Sequence, residues 1–215
     1  MDIQYFYALH TGPATQLDGQ PASLRVLPLG DIQLPSGQVQ ACDPFVMLGD
    51  GPIFATPQGS FPVYATIADV SNEQNGSHER VAYLSVVFAE EAAAKVAYAE
   101  STEEAAPEGM FYGVDVDAGT VSFIDHAVVP ENVYDICDTE DWFDPMDSED
   151  HLEDGVANIP VAFAHNNENI VLSHSGWGDG TYPVLATYNA AGTLLALHID
   201  LYVVGEVATE FVKES

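Results

Sequence analysis

Arg80-Val81-Ala82-Tyr83-Leu84-Ser85-Val86-Val87-Phe88 is dense in β-branched and aromatic residues, the composition that suits a pleated strand. Segments of the same character lie on both sides of it. Downstream, Asn169–Ser173, Tyr182–Asn189 and Thr193–Val204 read as strands, with Asn189-Ala190-Ala191-Gly192 as the turn between the last two. Phe111–Val116 and Thr120–Ile124 flank Asp117-Ala118-Gly119 and read as a hairpin. Upstream, Ser60–Ile67 alternates around Pro62, which indicates an edge position or a strand start, because proline cannot donate to a ladder. Ser23–Pro28 and Gln38–Ala41 are short strands around the turn Leu34-Pro35-Ser36-Gly37. Ile3–His10 reads as an opening strand.

Helix is scarcer. Ala89–Glu100 has the highest helix propensity in the chain, although its Lys95-Val96-Ala97-Tyr98 core could instead form a strand paired back on Arg80–Phe88. Residues 139–153 suit a short acidic helix with Trp142, Phe143, Met146 and Leu152 as its buried stripe, interrupted by Pro145. The expectation is an α+β, β-dominated fold: an antiparallel sandwich-like arrangement or strongly curved sheet with one or two short helices. With no internal repeat and no Gly/Ser linker, residues 1–215 read as a single domain.

Charge is the unusual quantity. Thirty-four acids face four bases, Arg25, Arg80, Lys95 and Lys213, for a formal net charge of −30. Charged residues make up only 18%, below the usual quarter or so, so the chain has lost bases more than it has gained acids. Phosphate-mediated nucleic-acid binding and anionic membranes are disfavoured, since both need Lys and Arg. What remains is a basic macromolecular partner, divalent cations or a saline habitat. Residues 108–215 hold 21 of the acids and one base. Asp135, Asp138, Glu140, Asp141, Asp144, Asp147, Glu149, Asp150, Glu153 and Asp154 put ten acids into twenty residues. The plain alternative for that run is a solvated loop or helix face. Two cysteines, Cys42 and Cys137, are too few for a disulfide framework, no apolar run spans a membrane, and no basic-then-apolar segment opens the chain. A cytoplasmic location is the expectation.

No phosphate-cradling glycine loop with a lysine, HExxH, paired CxxC or GxSxG elbow is present. Four bases argue against an Arg or Lys clamp for an oxyanion. Two segments remain. In Gly113–Asp125, strand periodicity puts Asp115 and Asp117 on one face and Asp125 at the far end of the second strand. With Asp179, these carboxylates could hold a divalent cation or do acid–base work. The alternative is that Asp117 caps the turn and the others bond to backbone amides. In Ser173–Pro183, three glycines around Trp177 and Asp179 imply positive-φ backbone and either a ligand cleft or a structural corner. His174 beside Ser175, with Asp179 or Asp200, lacks the spacing to support a triad.

These segments belong to an ordered set. Pro35-Ser36-Gly37 with Asp43-Pro44, then Gly59, Pro62 and Val63, then Gly113-Val114-Asp115 with Ala118, Gly119, Phe123 and Asp125, then Ser175-Gly176-Trp177-Gly178-Asp179-Gly180 with Tyr182 and Pro183 follow in that order. The set resembles an uncharacterised bacterial family, the domain of unknown function 4241, over about residues 29–204. Val116-Asp117 is inserted relative to the family's VDAGTG string, and Phe61 stands where tyrosine is usual. The resemblance implies one domain and confers no activity.

Three functional expectations follow. The first is an acidic interaction protein, an immunity or antitoxin-like inhibitor of a basic toxin such as a nuclease. Its surface would comprise Asp138, Glu140, Asp141, Trp142, Phe143, Asp144, Asp147, Glu149, Asp150, Glu153 and Asp154, with the two aromatics as anchors. The second is a metal-dependent enzyme or binding module using Asp115, Asp117, Asp125 and Asp179. The third is a salt-adapted domain whose function lies in an undisclosed pocket. No other cofactor is expected.

Overall fold

The computed structural model describes residues 3–103, 106–107, 110–133, 140–146, 148 and 155–205. Thirteen strands are described: β1 (Gly12–Thr15), β2 (Pro21–Leu34), β3 (Gln38–Cys42), β4 (Ile53–Ala55), β5 (Gly59–Asp69), β6 (Glu79–Val87), β7 (Lys95–Tyr98), β8 (Gly113–Val116), β9 (Thr120–Asp125), β10 (Val156–Pro160), β11 (Asn169–His174), β12 (Gly180–Tyr188) and β13 (Leu194–Asp200). They form two antiparallel sheets. The larger runs β1-β2-β5-β6-β13-β12-β7, with β8 also on β12; the smaller runs β10-β11-β9-β3-β4. A single described α-helix, α1 (Glu140–Met146), completes a β-dominated fold whose large sheet is strongly curved.

The small sheet is covered on both faces. Val121, Phe123 and Val171 point into one core with Leu84, Val86, Leu197 and Ile199 of the large sheet. The alternate residues Ile124, Ile170 and Leu172 enter a second core with Ile159, Trp142 and Met146. That explains why all six residues of β9 are buried, as expected of a strand sandwiched between two apolar layers. The far face of the large sheet carries Tyr83, Ser85, Thr187 and His198, and Phe6 covers it with its ring edge-on to Tyr83 and His198.

Several expectations are corrected. Ile3–His10 is not a strand: Ile3–Tyr5 is a 3-10 turn, and Phe6 serves as a lid while Leu9 N–H donates to Thr66 Oγ1 (2.9 Å). Ala89–Glu100 is not a helix, because the edge of β12 recruits Lys95–Tyr98 as β7, rather than β6 as the alternative had it. Tertiary pairing overrides local propensity there. Residues 113–116 and 120–125 are not a hairpin: β8 pairs β12 in the large sheet, and β9 pairs β3 and β11 in the small one. Pro62 is at neither an edge nor a strand start: it lies inside β5, opposite Asp31 of β2, just before the ladder to β6 begins at Val63.

Candidate functional site

At one end of the two sheets the chain crosses between them twice, side by side. Asp117-Ala118-Gly119 carries it from β8 to β9, and Ser175 to Asp179 carries it from β11 to β12. Val116 pairs with Gly180, Thr120 pairs with His174, and Ser175 N–H donates to the Gly119 carbonyl (3.0 Å). Gly119 and Gly176 make these corners with φ of +67° and +66°.

The first crossing is held by Asp43, which leaves β3 at the same end and is fully buried. Its Oδ2 accepts from Asp117 N–H (3.1 Å) and Ala118 N–H (2.7 Å), and its Oδ1 from Thr120 Oγ1 (2.9 Å) and Phe45 N–H (3.1 Å). Pro44 adds its carbonyl, which accepts from Trp142 Nε1 (3.0 Å) and ties α1 to the corner. The second crossing is held internally: Ser175 Oγ and Tyr182 Oη both donate to the Gly178 carbonyl (2.7 and 2.8 Å). The motif residues Asp43, Pro44, Asp115, Gly119 and Ser175 through Gly180 are thus gathered at one corner, and Asp115 accepts from Thr181 Oγ1 across the β8–β12 ladder (2.6 Å).

Asp125 is the exception. It lies at the other end of β9, about 17 Å away at the usual rise per strand residue. There it caps the 3-10 turn His126–Val128 by accepting from Ala127 N–H, and it also accepts from Ser36 N–H (both 2.9 Å). It therefore cannot share an ion with Asp115, Asp117 and Asp179, which are exposed near the crossings. Among the described residues no three His, Cys, Asp or Glu side chains form a group that could hold a metal. Ser175 spends its hydroxyl on Gly178, so the Ser–His–Asp arrangement is not assembled.

Within the acid-rich run, Glu140, Phe143 and Asp144 of α1 are exposed, and Phe143 stacks on Phe45 (6.1 Å between centroids). Trp142 is corrected as a partner anchor: it is 3% exposed and stacks on Phe163 in the second core. A turn of α1 spaces Trp142 and Met146 onto the inward face and leaves Phe143 outside, so of the three described members of the expected stripe two are buried. Leu152 and the acids Asp135, Asp138, Asp147, Glu149, Asp150, Glu153 and Asp154 lie outside the described residues, as does Cys137. Cys42 is buried against Ser122, as a core residue should be.

Between the crossings and the start of β6 opens a cleft of about 430 Å³. Phe45, backed by the buried Met146 and Leu172, lines it together with Arg80, His174 and Trp177. Arg80 is the residue that sequence reasoning missed. Its guanidinium lies over the Trp177 ring (5.3 Å to the centroid), whose edge also meets His78 (6.0 Å). Its Nη1 reaches only the Glu79 carbonyl (3.4 Å), and its Nε is buried with no hydrogen-bond partner. The neighbouring Glu79 carboxylate is taken by Arg25 in a two-pronged pair (2.7 and 3.0 Å), which holds it below its usual carboxylate range. Trp177 is 53% exposed at the cleft mouth.

Two antiparallel sheets, the larger strongly curved, joined by paired crossings and backed among the described residues by one short helix, define the class of protein. Residues 32–199 match the family described as Protein of unknown function (DUF4241), and the chain belongs to it. No curated protein and no solved structure matches the chain. No described helix is long and apolar enough to cross a membrane.

Proposed function

We propose that this is an acidic interaction protein that binds a basic protein partner, in the manner of an immunity or antitoxin-like inhibitor of a cationic toxin. The observation that carries the reading is charge: 34 acids against four bases, with ten of the acids in residues 135–154. Part of that run is α1, where Glu140 and Asp144 are exposed beside the stacked pair Phe143 and Phe45. Carboxylates around an aromatic patch match a cationic cleft that would otherwise hold phosphates, and such complementarity accelerates association. Asp115, Asp117 and Asp179 extend the same sign of charge along the crossings. A cytoplasmic location would fit this role.

The test is capture of partners at low salt, identification by mass spectrometry, and titration of the purified pair. The expected result is a stoichiometric complex with a strongly basic protein that weakens steeply with KCl. Lysine substitution at Asp141, Asp144, Asp147 and Asp150 should weaken it at least about a hundredfold, as charge pairs at such interfaces do. Affinity unchanged by both salt and charge reversal would overturn the reading.

A further inference from the structure

We propose that the cleft between the two crossings is a binding site for a small organic oxyanion, a carboxylate or phosphate group on an apolar body. Arg80 and His174 would receive the charged group, and Trp177 and Phe45 its body.

Arg80 lacks a carboxylate partner among the described residues. In a chain with 34 acids, an arginine has every opportunity to meet a carboxylate, yet among the described residues Arg80 forms no ion pair. Glu79, next to it in sequence, is turned to Arg25 instead. The guanidinium is held in place by Trp177 beneath it and by the Glu79 carbonyl, so it is positioned but not neutralised. Its planar fork suits the two oxygens of a carboxylate or phosphate, a geometry a lysine would not supply. Imidazole donates an N–H in either charge state, and His174 lines both this cleft and the smaller recess beside it, which Arg80 also lines. The cleft has the volume usual for small-molecule sites, and its lining mixes polar and apolar groups in similar measure. Exposed Asp117 and Asp179 adjoin the lining residues Ala118 and Gly178, so a bare anion meets repulsion at the mouth. An apolar body would add the contact that offsets it. The paucity of bases in the chain argued against any such clamp, but the fold concentrates one of the four where a clamp is useful. Such a site needs no protein partner and is independent of the proposed function.

The chain contains two arginines, so ¹⁵N NMR of the full-length protein gives two Arg Nε–H signals. Titration with inorganic phosphate, acetate, phenyl phosphate and phenylacetate, at constant ionic strength in KCl, tests the site. The expected result is a saturable shift of the Arg80 signal with a Kd on the order of 1 mM or tighter for a phenyl compound, at least about fivefold tighter than for its parent anion. The Arg25 signal should not follow. Preference for the phosphate or the carboxylate arm assigns the head group. Arg80→Gln should abolish the saturable shift of the cleft resonances, and His174→Ala should weaken binding about tenfold. Trp177→Ala, at an exposed loop position, gives a second variant if Arg80→Gln fails to fold. No saturable change with any of the four anions, or equal drift of both arginine signals, would overturn the proposal.

Discussion

At the scale of single residues, Asp43 bears the most. Four donors converge on one buried carboxylate, and each such charged hydrogen bond is worth more than a neutral one. Asp43→Ala would leave two amides of the Asp117–Gly119 crossing without their acceptor, and the loss should be at least about 3 kcal/mol. Asp43→Asn keeps one acceptor oxygen and should fall between. Urea unfolding measures both; a loss under about 0.5 kcal/mol for alanine would mean the crossing holds itself. A second prediction concerns Asp200 and His198. Burial raises the Asp200 carboxyl from 3.8 to about 7, although Tyr202 N–H pulls the other way. Burial between the Ser85 and Thr187 hydroxyls lowers His198 from 6.5 to about 3. Folded Asp200 keeps a proton that the unfolded chain releases, so its contribution falls as pH rises from about 4 to about 7. The unfolded chain protonates His198 first, so that contribution rises with pH from about 3 to 6.5. The two slopes oppose each other over most of one window. Asp200→Asn removes the falling one, and its amide oxygen can still accept from Tyr202 N–H. Relative to the native chain, the variant should gain up to about 4 kcal/mol between pH 4 and 7.5. A difference independent of pH would show that Asp200 titrates normally.

At the scale of elements, α1 is seven residues long and contains Pro145, too short to persist in isolation. Trp142 fastens it: one face on Phe163, Nε1–H on the Pro44 carbonyl. Trp142→Ala should cost about 3–5 kcal/mol, and Trp142→Phe about 1–2 kcal/mol through the lost hydrogen bond and the smaller ring. Calorimetry of the two variants checks the order; equal losses would mean that the ring contributes nothing beyond its hydrogen bond. The β-dominated character was legible because runs such as Arg80–Phe88 and Asn169–Ser173 carry it locally. Pairing was not. Asp117-Ala118-Gly119 is the same turn whether the second strand folds back on the first or crosses to the facing sheet. The crossing form is the one that Asp43, 74 residues earlier, hydrogen-bonds. Ala89–Glu100 misled for a related reason: alanine and glutamate favour helix, but the unpaired edge of β12 supplies hydrogen bonds that an isolated helix of that length lacks. Of the candidate site, the glycine-rich crossing was visible as punctuation, whereas Arg80 was one residue in a strand with nothing nearby in sequence to mark it.

At the scale of the whole molecule, a net charge of −30 on 215 residues makes the compact state work against its own field. Four bases can offset few of the carboxylates: Arg25 pairs with Glu79, while Arg80 and Lys95 lie over the rings of Trp177 and Tyr188. Raising ionic strength from 0.01 to 0.15 M shortens the screening length from about 30 to about 8 Å, below the spacing of most surface charges. The melting temperature should therefore rise with KCl on the order of 10 °C, most of it below 0.15 M. Binding of a basic partner through the 135–154 segment has the opposite sign, since the same screening weakens attraction between the two surfaces. Lysines at Asp141, Asp144, Asp147 and Asp150 should then raise the melting temperature in low salt while weakening the complex. A charge pattern serving only a saline habitat predicts the first effect without the second. Melting curves and complex affinity, taken on the same two proteins over the same KCl series, separate these cases. If the melting temperature is flat in KCl, the carboxylates do not repel one another appreciably, and the charge ceases to argue for either.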